Sequence, residues 1–378
     1  MPRTRIAVNT RLLIRNRLDG IGWFTYETLS RITKAHPEVD FFFFFYRKPD
    51  PQFIFSKNVK AVVVGPQARH PLLFIIWFEL SLPWFLRKLR PDLFLSPDGY
   101  LSLSASTPSL AVIHDLNFEH FPADLPWFVR WYYRFFFPRF ARKAARIATV
   151  SEFSKQDIVA QYGVAEDRID VVYNGSSHKF IPLNQYDILQ VRNQYSDGKP
   201  YFLFVGALHP RKNLVRLFAA FDQYRNECAE DVRLLVVGEK LWWTKPIREA
   251  YENMKHHDKV HFCGRLGMED LCRVTASALA VTYVSYFEGF GIPIVEAFSA
   301  GVPVITSDVT SMPEVAADAA LLVDPFNIES ISKAMILITS DASLRERLIS
   351  LGHQRAMSFS WDRTAEQLWL SIQKAIIH

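Results

Sequence analysis

Tyr201-Phe202-Leu203-Phe204-Val205-Gly206-Ala207-Leu208-His209-Pro210-Arg211-Lys212-Asn213 is the stretch on which the fold turns. Five apolar residues read as a buried strand. A glycine follows and lets the chain turn, and then come two adjacent cations. Asn213 stands where an N-cap would open a helix from Leu214. This strand–turn–helix unit begins after a polar interruption, Pro182-Leu183-Asn184-Gln185 and then Gln194 to Pro200. It restarts an alternation that has already run through the first half of the chain.

In that first half, strands are expected near Ile6–Val8, Phe41–Tyr46, Ala61–Val64, Asp92–Leu95, Leu110–Ile113, Ala148–Val150 and Asp170–Val172. Helical patterns lie near Trp23–Ala35, Ile76–Leu89, Trp127–Ala145 and Phe153–Tyr162. After the interruption, strands are expected at Tyr201–Val205, Val232–Val237, Val260–Phe262, Ala278–Tyr283, Val304–Thr306 and Ala320–Val323. Helices alternate with them. Such alternation marks parallel sheets wound with helices. The expected organisation is α/β, with two tandem Rossmann-like domains facing a central cleft. The ranges are 1–183, a linker 184–199, 200–358, and a terminal helix 359–378. Ligands of such sheets bind at the carboxyl ends of strands.

The bulk properties fit two globular domains. There are 378 residues, 49% of them hydrophobic and 22% charged, enough for a sizeable core. A net charge of +5 suits an anionic ligand or membrane surface and is too diffuse for nucleic acid. Three cysteines without close spacing argue against a disulfide framework or a zinc site. The start of the chain does not read as a signal peptide, and the apolar run Pro71–Leu86 is too short and interrupted to span a bilayer. A cytoplasmic protein is expected, possibly at the inner membrane face.

The loop Gly206 to Asn213 offers a diphosphate two cations beside a helix N-terminus, or it is simply a solvated basic loop. A second constellation is Phe287-Glu288-Gly289-Phe290-Gly291-Ile292-Pro293-Ile294-Val295-Glu296, two glutamates with seven residues between them. Pro293 suits a helix start, and Glu296 is expected in its first turn. The glycines would let backbone amides approach a phosphate or a sugar hydroxyl. The carboxylates would repel the phosphates, so they fit as acceptors for ligand hydroxyls. A favourable acid at a helix start would account for Glu296 alone.

The first half supplies Asp19-Gly20-Ile21-Gly22-Trp23, a Gly-x-Gly before a helix, and a strand ending in His114-Asp115. Asp98-Gly99 is a weaker candidate of the same kind. The segment Pro126–Arg146 mixes Trp127, Trp131 and Phe135 with six cations. That mixture fits an interfacial helix or an amphipathic helix packed inward, and Pro138 would kink or split it.

With these residues in hand, the chain resembles the family 4 retaining, nucleotide-sugar-dependent glycosyltransferases of the GT-B fold. The match is carried by Gly20-Ile21-Gly22, His114-Asp115, Thr149-Val150-Ser151-Glu152, Tyr173-Asn174-Gly175, Arg211-Lys212-Asn213, the glutamate pair, Gly301-Val302-Pro303-Val304, Met312-Pro313-Glu314 and Phe359-Ser360-Trp361. The resemblance implies that Arg211 and Lys212 neutralise a donor diphosphate. It implies that Glu296 binds ribose hydroxyls, and that Glu288 orients the sugar with the amides of Phe290 and Gly291. Gly22, Gly206, Gly289, Ile292, Arg265 and Leu266 are expected to line the donor, the last two against the base. His114 is expected at the reactive face, with Trp23 and Asp115 on the acceptor side. The family implies no metal, retention through a front-face route, and a terminal helix that crosses back to the N-terminal domain. His114-Asp115-Leu116 and Gly20-Ile21-Gly22 look most like bacterial mannosyltransferases of surface-polysaccharide (lipopolysaccharide) synthesis. GDP-mannose is then the first expectation for the donor. A lipid-linked glycan is expected as acceptor, with peripheral contact to an anionic membrane. A nucleotide-sugar epimerase or a non-catalytic sugar-nucleotide-binding protein on the same scaffold is the alternative.

Overall fold

The computed structural model describes residues 3–67, 71–240 and 243–377. Met1, Pro2 and His378, at the ends of the expected domain ranges, lie outside the described residues. The chain divides into two compact units, Met1–Asn174 with Trp361–His378, and Gly175–Ser360.

The first unit holds β1 (Arg5–Asn9), β2 (Asp40–Phe45), β3 (Val59–Val63), β4 (Leu93–Ser96), β5 (Ser109–Ile113), β6 (Arg146–Thr149) and β7 (Ile169–Val171). They form a parallel sheet in the order β3-β2-β1-β4-β5-β6-β7. The phenylalanine run of β2 is buried along its whole length. A parallel strand covered by helices on both faces can be apolar at every position, so Phe41–Phe45 need not alternate. Its helices are α1 (Gly20–Ala35), α2 (Pro71–Ile76), α3 (Leu82–Leu89), α4 (Asn117–His120), α5 (Trp127–Lys143) and α6 (Glu152–Tyr162).

Two expectations change here. The helix expected over Ile76–Leu89 begins earlier and passes through a π-helical stretch, Trp77–Ser81, between α2 and α3. Pro83 has no N–H to give the Glu79 carbonyl, and Ser104 Oγ donates to that carbonyl instead at 3.1 Å. Pro138, in contrast, does not split α5, which runs on through it.

The second unit holds β8 (Tyr201–Val205), β9 (Arg233–Val237), β10 (Val260–Gly264), β11 (Ala280–Tyr283), β12 (Val304–Ser307) and β13 (Leu321–Val323). The parallel order is β10-β9-β8-β11-β12-β13. Its helices are α7 (Gln185–Tyr195), α8 (Leu214–Glu227), α9 (Lys245–Glu252), α10 (Met268–Ala276), α11 (Ile292–Ser299), α12 (Met312–Ala316), α13 (Ile328–Ser340) and α14 (Ala342–Ala356). The segment 184–199, expected as a linker, is mostly α7. Asn184 caps it by accepting from the Asp187 N–H, and Arg192 Nε donates to the Ser277 carbonyl at 3.1 Å. Only Val191 of this helix is buried, so its sequence carries almost no apolar period. The second unit accordingly begins at Gly175, ahead of the expected boundary.

The last helix, α15 (Trp361–Ile377), belongs to the first unit. Trp361 meets the Phe24 ring edge-on at 6.4 Å, and Trp369 stacks on His36 at 3.7 Å. Asp170 at β7 accepts from Ser371 Oγ at 2.8 Å, Lys374 Nζ at 2.7 Å and both arms of Arg146 at 2.9 Å. Phe359 and Ser360, expected at the start of this terminal segment, lie in the second unit, where Ser360 bridges Ser176.

Candidate active site

Strands β8 and β11 are neighbours in the second sheet although the chain reaches β9 and β10 between them. This is the point where strand order reverses, and loops leaving the carboxyl ends there splay apart to leave a crevice. The loop after β8 carries Gly206, Arg211 and Lys212. The loop after β11 carries Glu288. Both expected constellations therefore meet at the switch point of one sheet.

The β8 loop has no room for an ordinary residue at its start. Gly206 has φ of +153°, and a Cβ there would press on the Lys212 stem at 3.5 Å. Pro210–Lys212 makes one 3₁₀ turn. Asn213 then occupies the cap position of α8, but with a left-handed φ of 61° and no side-chain capping bond. Asparagine tolerates that backbone. Its amide instead donates to the carbonyls of Val284 at 2.9 Å and Pro325 at 2.7 Å. The expected N-cap is thus a cross-link between loops. Tyr286 N–H donating to the Arg211 carbonyl at 3.0 Å ties the same two loops.

Lys212 and Glu288 are both buried. Lys212 Nζ donates to Glu288 Oε1 at 2.6 Å and to the Tyr283 hydroxyl at 2.5 Å. Arg211 Nη1 lies 2.7 Å from Glu288 Oε2 and donates to the Phe287 carbonyl at 3.1 Å. Burial alone would raise the Glu288 pKa, but Arg211 and Lys212 outweigh it and hold the carboxyl at about 2. The cluster of two cations and one carboxylate keeps a net positive charge in a desolvated place. That is what a departing diphosphate requires. Tyr283, the last residue of β11, is the member that residue patterns missed. The only signal was its place at a strand's carboxyl end, which an apolar run conceals.

The turn to α11 is pinned from β12's side. Ser311 Oγ donates to the carbonyls of Glu288 at 2.9 Å and Phe290 at 3.2 Å. Gly291 has φ of +101° and stands at the cap of α11, where a Cβ would meet Ile294 at 2.9 Å. Phe290 is buried against Phe359. Ile292 and Pro293 open α11, which places Glu296 beyond the first turn where it was expected. Glu296 is half-buried, and desolvation pushes its carboxyl up to about 7. The two glutamates are thus driven in opposite directions, one permanently ionised and one poised near neutrality. Arg265 and Leu266 follow β10, two strands along the sheet from β8, where Arg265 lies 3.8 Å from Glu239.

In the first unit, the same rule points between β1 and β4. Asn9 Nδ2 donates to Asp98 Oδ1 at 2.8 Å, and Arg11 forms a buried ion pair with Asp98. The Arg11 guanidinium lies 4.2 Å from the Tyr100 ring centroid. Arg11 was not expected at all, because a lone arginine beyond a short strand carries no motif. His114, at the end of β5, donates from Nε2 to the Pro97 carbonyl at 2.8 Å, since a carbonyl can only accept. Burial pushes its pKa down, against that carbonyl and Asp115, so the ring is neutral near pH 7 with Nδ1 unprotonated. Asp115 caps the next turn through the Asn117 N–H at 3.1 Å. The Gly22 N–H, expected to face a ligand, donates to the Asp19 carboxylate at 2.9 Å as part of the α1 cap, and Trp23 follows in that helix.

Residues 187–355 match the family described as Glycosyl transferases group 1, and residues 18–180 match Glycosyltransferase Family 4. The O-antigen chain mannosyltransferase B of Escherichia coli is 30% identical over 370 residues, 94% of this chain and 96% of that one. Sucrose-phosphate synthase from Thermosynechococcus elongatus superposes with a TM-score of 0.79 at 20% identity, covering 98% of both chains. Anabaena HepE, solved with UDP and glucose, superposes with a TM-score of 0.75 at 17% identity, covering 98% of this chain and 100% of that one. At these identities the two structures show the fold alone, the GT-B pair of Rossmann-like units.

Proposed function

Because the chain belongs to the family 4 (group 1) glycosyltransferases, we propose that it is a retaining hexosyltransferase. It moves mannose from GDP-mannose to a lipid-linked surface glycan at the cytoplasmic side of the membrane. The Escherichia coli relative, named for mannose transfer to O-antigen chains, supports the sugar and the acceptor class.

The observation that carries the chemistry is the buried Lys212–Glu288–Arg211 cluster at the β8/β11 switch point. Breaking the anomeric bond builds negative charge on the diphosphate. Arg211 and Lys212 meet that charge in a desolvated site, in place of a metal. Glu288, fixed by both, offers its remaining lone pairs to a sugar hydroxyl. Glu296 accepts from the ribose diol. Retention follows a front-face path in which the departing phosphate oxygen takes the acceptor proton, so no protein base is required.

The testing experiment is thermal unfolding with GDP, UDP, ADP and TDP, followed by the anomeric configuration of the product. GDP at 100 times its dissociation constant is expected to stabilise by about 2.7 kcal/mol. A response to UDP alone would reject GDP-mannose, no response would reject the nucleotide sugar, and a β-linked product would reject retention.

The proposed role of Glu296 has a pH signature. Its carboxyl must be ionised to accept two ribose hydroxyls, and in the free protein it titrates at about 7. Nucleotide binding is expected to strengthen as pH rises through that value, by up to about tenfold per unit below it. Glu296→Gln should flatten the profile. The ligand-free protein should show the opposite trend. The folded state holds this proton more tightly than the ordinary value of 4.5, so the group's contribution to stability falls as pH rises from 4.5 to about 7. Calorimetric titration at several pH values decides; a wild-type affinity independent of pH sinks the assignment.

A further inference from the structure

The first unit carries two exposed apolar stripes that its core does not use. On the segment from α2 to α3, Ile76, Leu80 and Trp84 recur at every fourth residue, with Leu80 67% and Trp84 55% exposed. On α5, Trp127 is 73% and Trp131 48% exposed, and Phe135 continues the row. The inward face of α5 holds Tyr132, Phe136, Phe137 and Phe140, so the core's demand for aromatics is already met. Phe128, Trp131 and Phe135 stack nearly parallel along the helix.

Each stripe ends on a cation placed over its last ring. Lys88 Nζ lies 5.2 Å from the Trp84 ring centroid, and the Arg139 guanidinium lies 3.7 Å from that of Phe135. A long cationic side chain over an interfacial aromatic is how a helix sits at a lipid–water boundary, with the ring in the acyl margin and the charge at the headgroups. The two helices are joined. Glu79 accepts from the Leu103 and Ser104 N–H groups at 2.7 and 3.0 Å, and Lys143 Nζ donates to the Leu103 and Ala105 carbonyls at 2.9 and 2.7 Å.

The same loop forms one wall of a notch of about 430 Å³, lined by Pro83, Arg87, Arg90, Ala105, Ser106 and Thr107. Arg87 lies one turn beyond Trp84. Among the described residues Arg87, Lys88, Arg90 and Arg139 form no ion pair. The stretch Pro126–Ser151 contains no acidic residue, and Glu79 is held by the loop amides. Basic charge, exposed tryptophans and a two-arginine notch with two hydroxyl side chains thus occur together.

We propose that this face docks on a bilayer containing anionic phospholipid, with the two stripes in the headgroup–acyl margin and a lipid phosphate between Arg87 and Arg90. The proposal stands apart from the donor reading, because it concerns binding to lipid in the absence of any sugar.

The test is co-sedimentation of the full chain with phosphatidylcholine vesicles, with and without phosphatidylglycerol, at low and high salt. Partitioning is expected only with phosphatidylglycerol, weakened by salt, with a blue shift of tryptophan emission. Arg87→Gln with Arg90→Gln should weaken it roughly thirty-fold, since each surface cation acts nearly independently. Trp84→Ala with Trp131→Ala should abolish the blue shift of the remaining ring and weaken partitioning at least as much. These side chains are exposed, and nucleotide-induced thermal stabilisation reports separately that each variant is folded. No partitioning, or variants that partition like the wild type, would overturn the proposal. So would a concentration-dependent dimer in lipid-free solution that the tryptophan changes dissolve, since the face would then belong to a second copy of the chain. Loss of nucleotide binding with vesicle binding intact would instead strike the donor reading alone.

Discussion

Lys212→Met is expected to lower turnover by about two to three orders of magnitude, the scale seen when one preorganised transition-state donor is removed. Methionine keeps the apolar stem that passes Gly206, so the loop retains its packing. Glu288 keeps Arg211, and its charge stays compensated inside the protein. What disappears is the ammonium held by Glu288 and Tyr283. A lysine clamped by two oxygens cannot swing away, so the charge is in place before the diphosphate develops its own. The cost to folding is that of a charge-assisted bond, about 1.5–3 kcal/mol. Steady-state rates at saturating donor, with thermal unfolding alongside, test this. A turnover within about tenfold of wild type would remove Lys212 from the leaving-group site.

Gly238→Ala is expected to remove the folded second unit rather than to tune it. Gly238 follows β9 with φ of +153°, and a Cβ placed there would overlap the Gly206 carbonyl oxygen. The obstacle is backbone, which no rotamer change can clear. Both glycines are also fixed by their own bonds, Gly206 N–H to the Val237 carbonyl and Gly238 N–H to the Gly264 carbonyl, each at 2.9 Å. Separating them would pull apart the carboxyl ends of β8, β9 and β10 together. Backbone strain alone costs about 1–3 kcal/mol, and a forced main-chain shift adds to it. Urea unfolding should show a loss of at least about 3 kcal/mol or no soluble protein. Gly20→Ala is the control, since a Cβ there meets nothing within 4 Å. Equal stability of both variants would refute the reading of this turn.

All thirteen strands were readable from residues because helices cover both faces of each sheet. A strand in that setting is an uninterrupted apolar run, and Phe41–Phe45 and Tyr201–Val205 stand out as such. The opposite condition hid α7, whose single buried residue leaves no period to find. The same logic divides the site. Arg211, Lys212, Glu288 and Glu296 were visible as local clusters beside glycine. That Lys212 and Glu288 bind each other was not, because they are 76 residues apart and meet only through strand order. Arg11 and Asp98, 87 residues apart at the first sheet's switch point, were hidden for the same reason. Tyr283 was hidden differently. A hydroxyl at the end of an apolar strand looks like one more core residue.

The helix Trp361–Ile377 and its Asp170 clamp bear on the order in which this protein is made. A ribosome releases the first unit's sheet early, with Arg146 and Asp170 paired but the groove for α15 bare. The whole of Gly175–Ser360 is then synthesised before the covering helix emerges. The unit that begins first is therefore completed last. Until then its nascent form exposes the apolar surface later covered by Leu368, Ile372 and Ala375, the surface a chaperone on the growing chain would recognise.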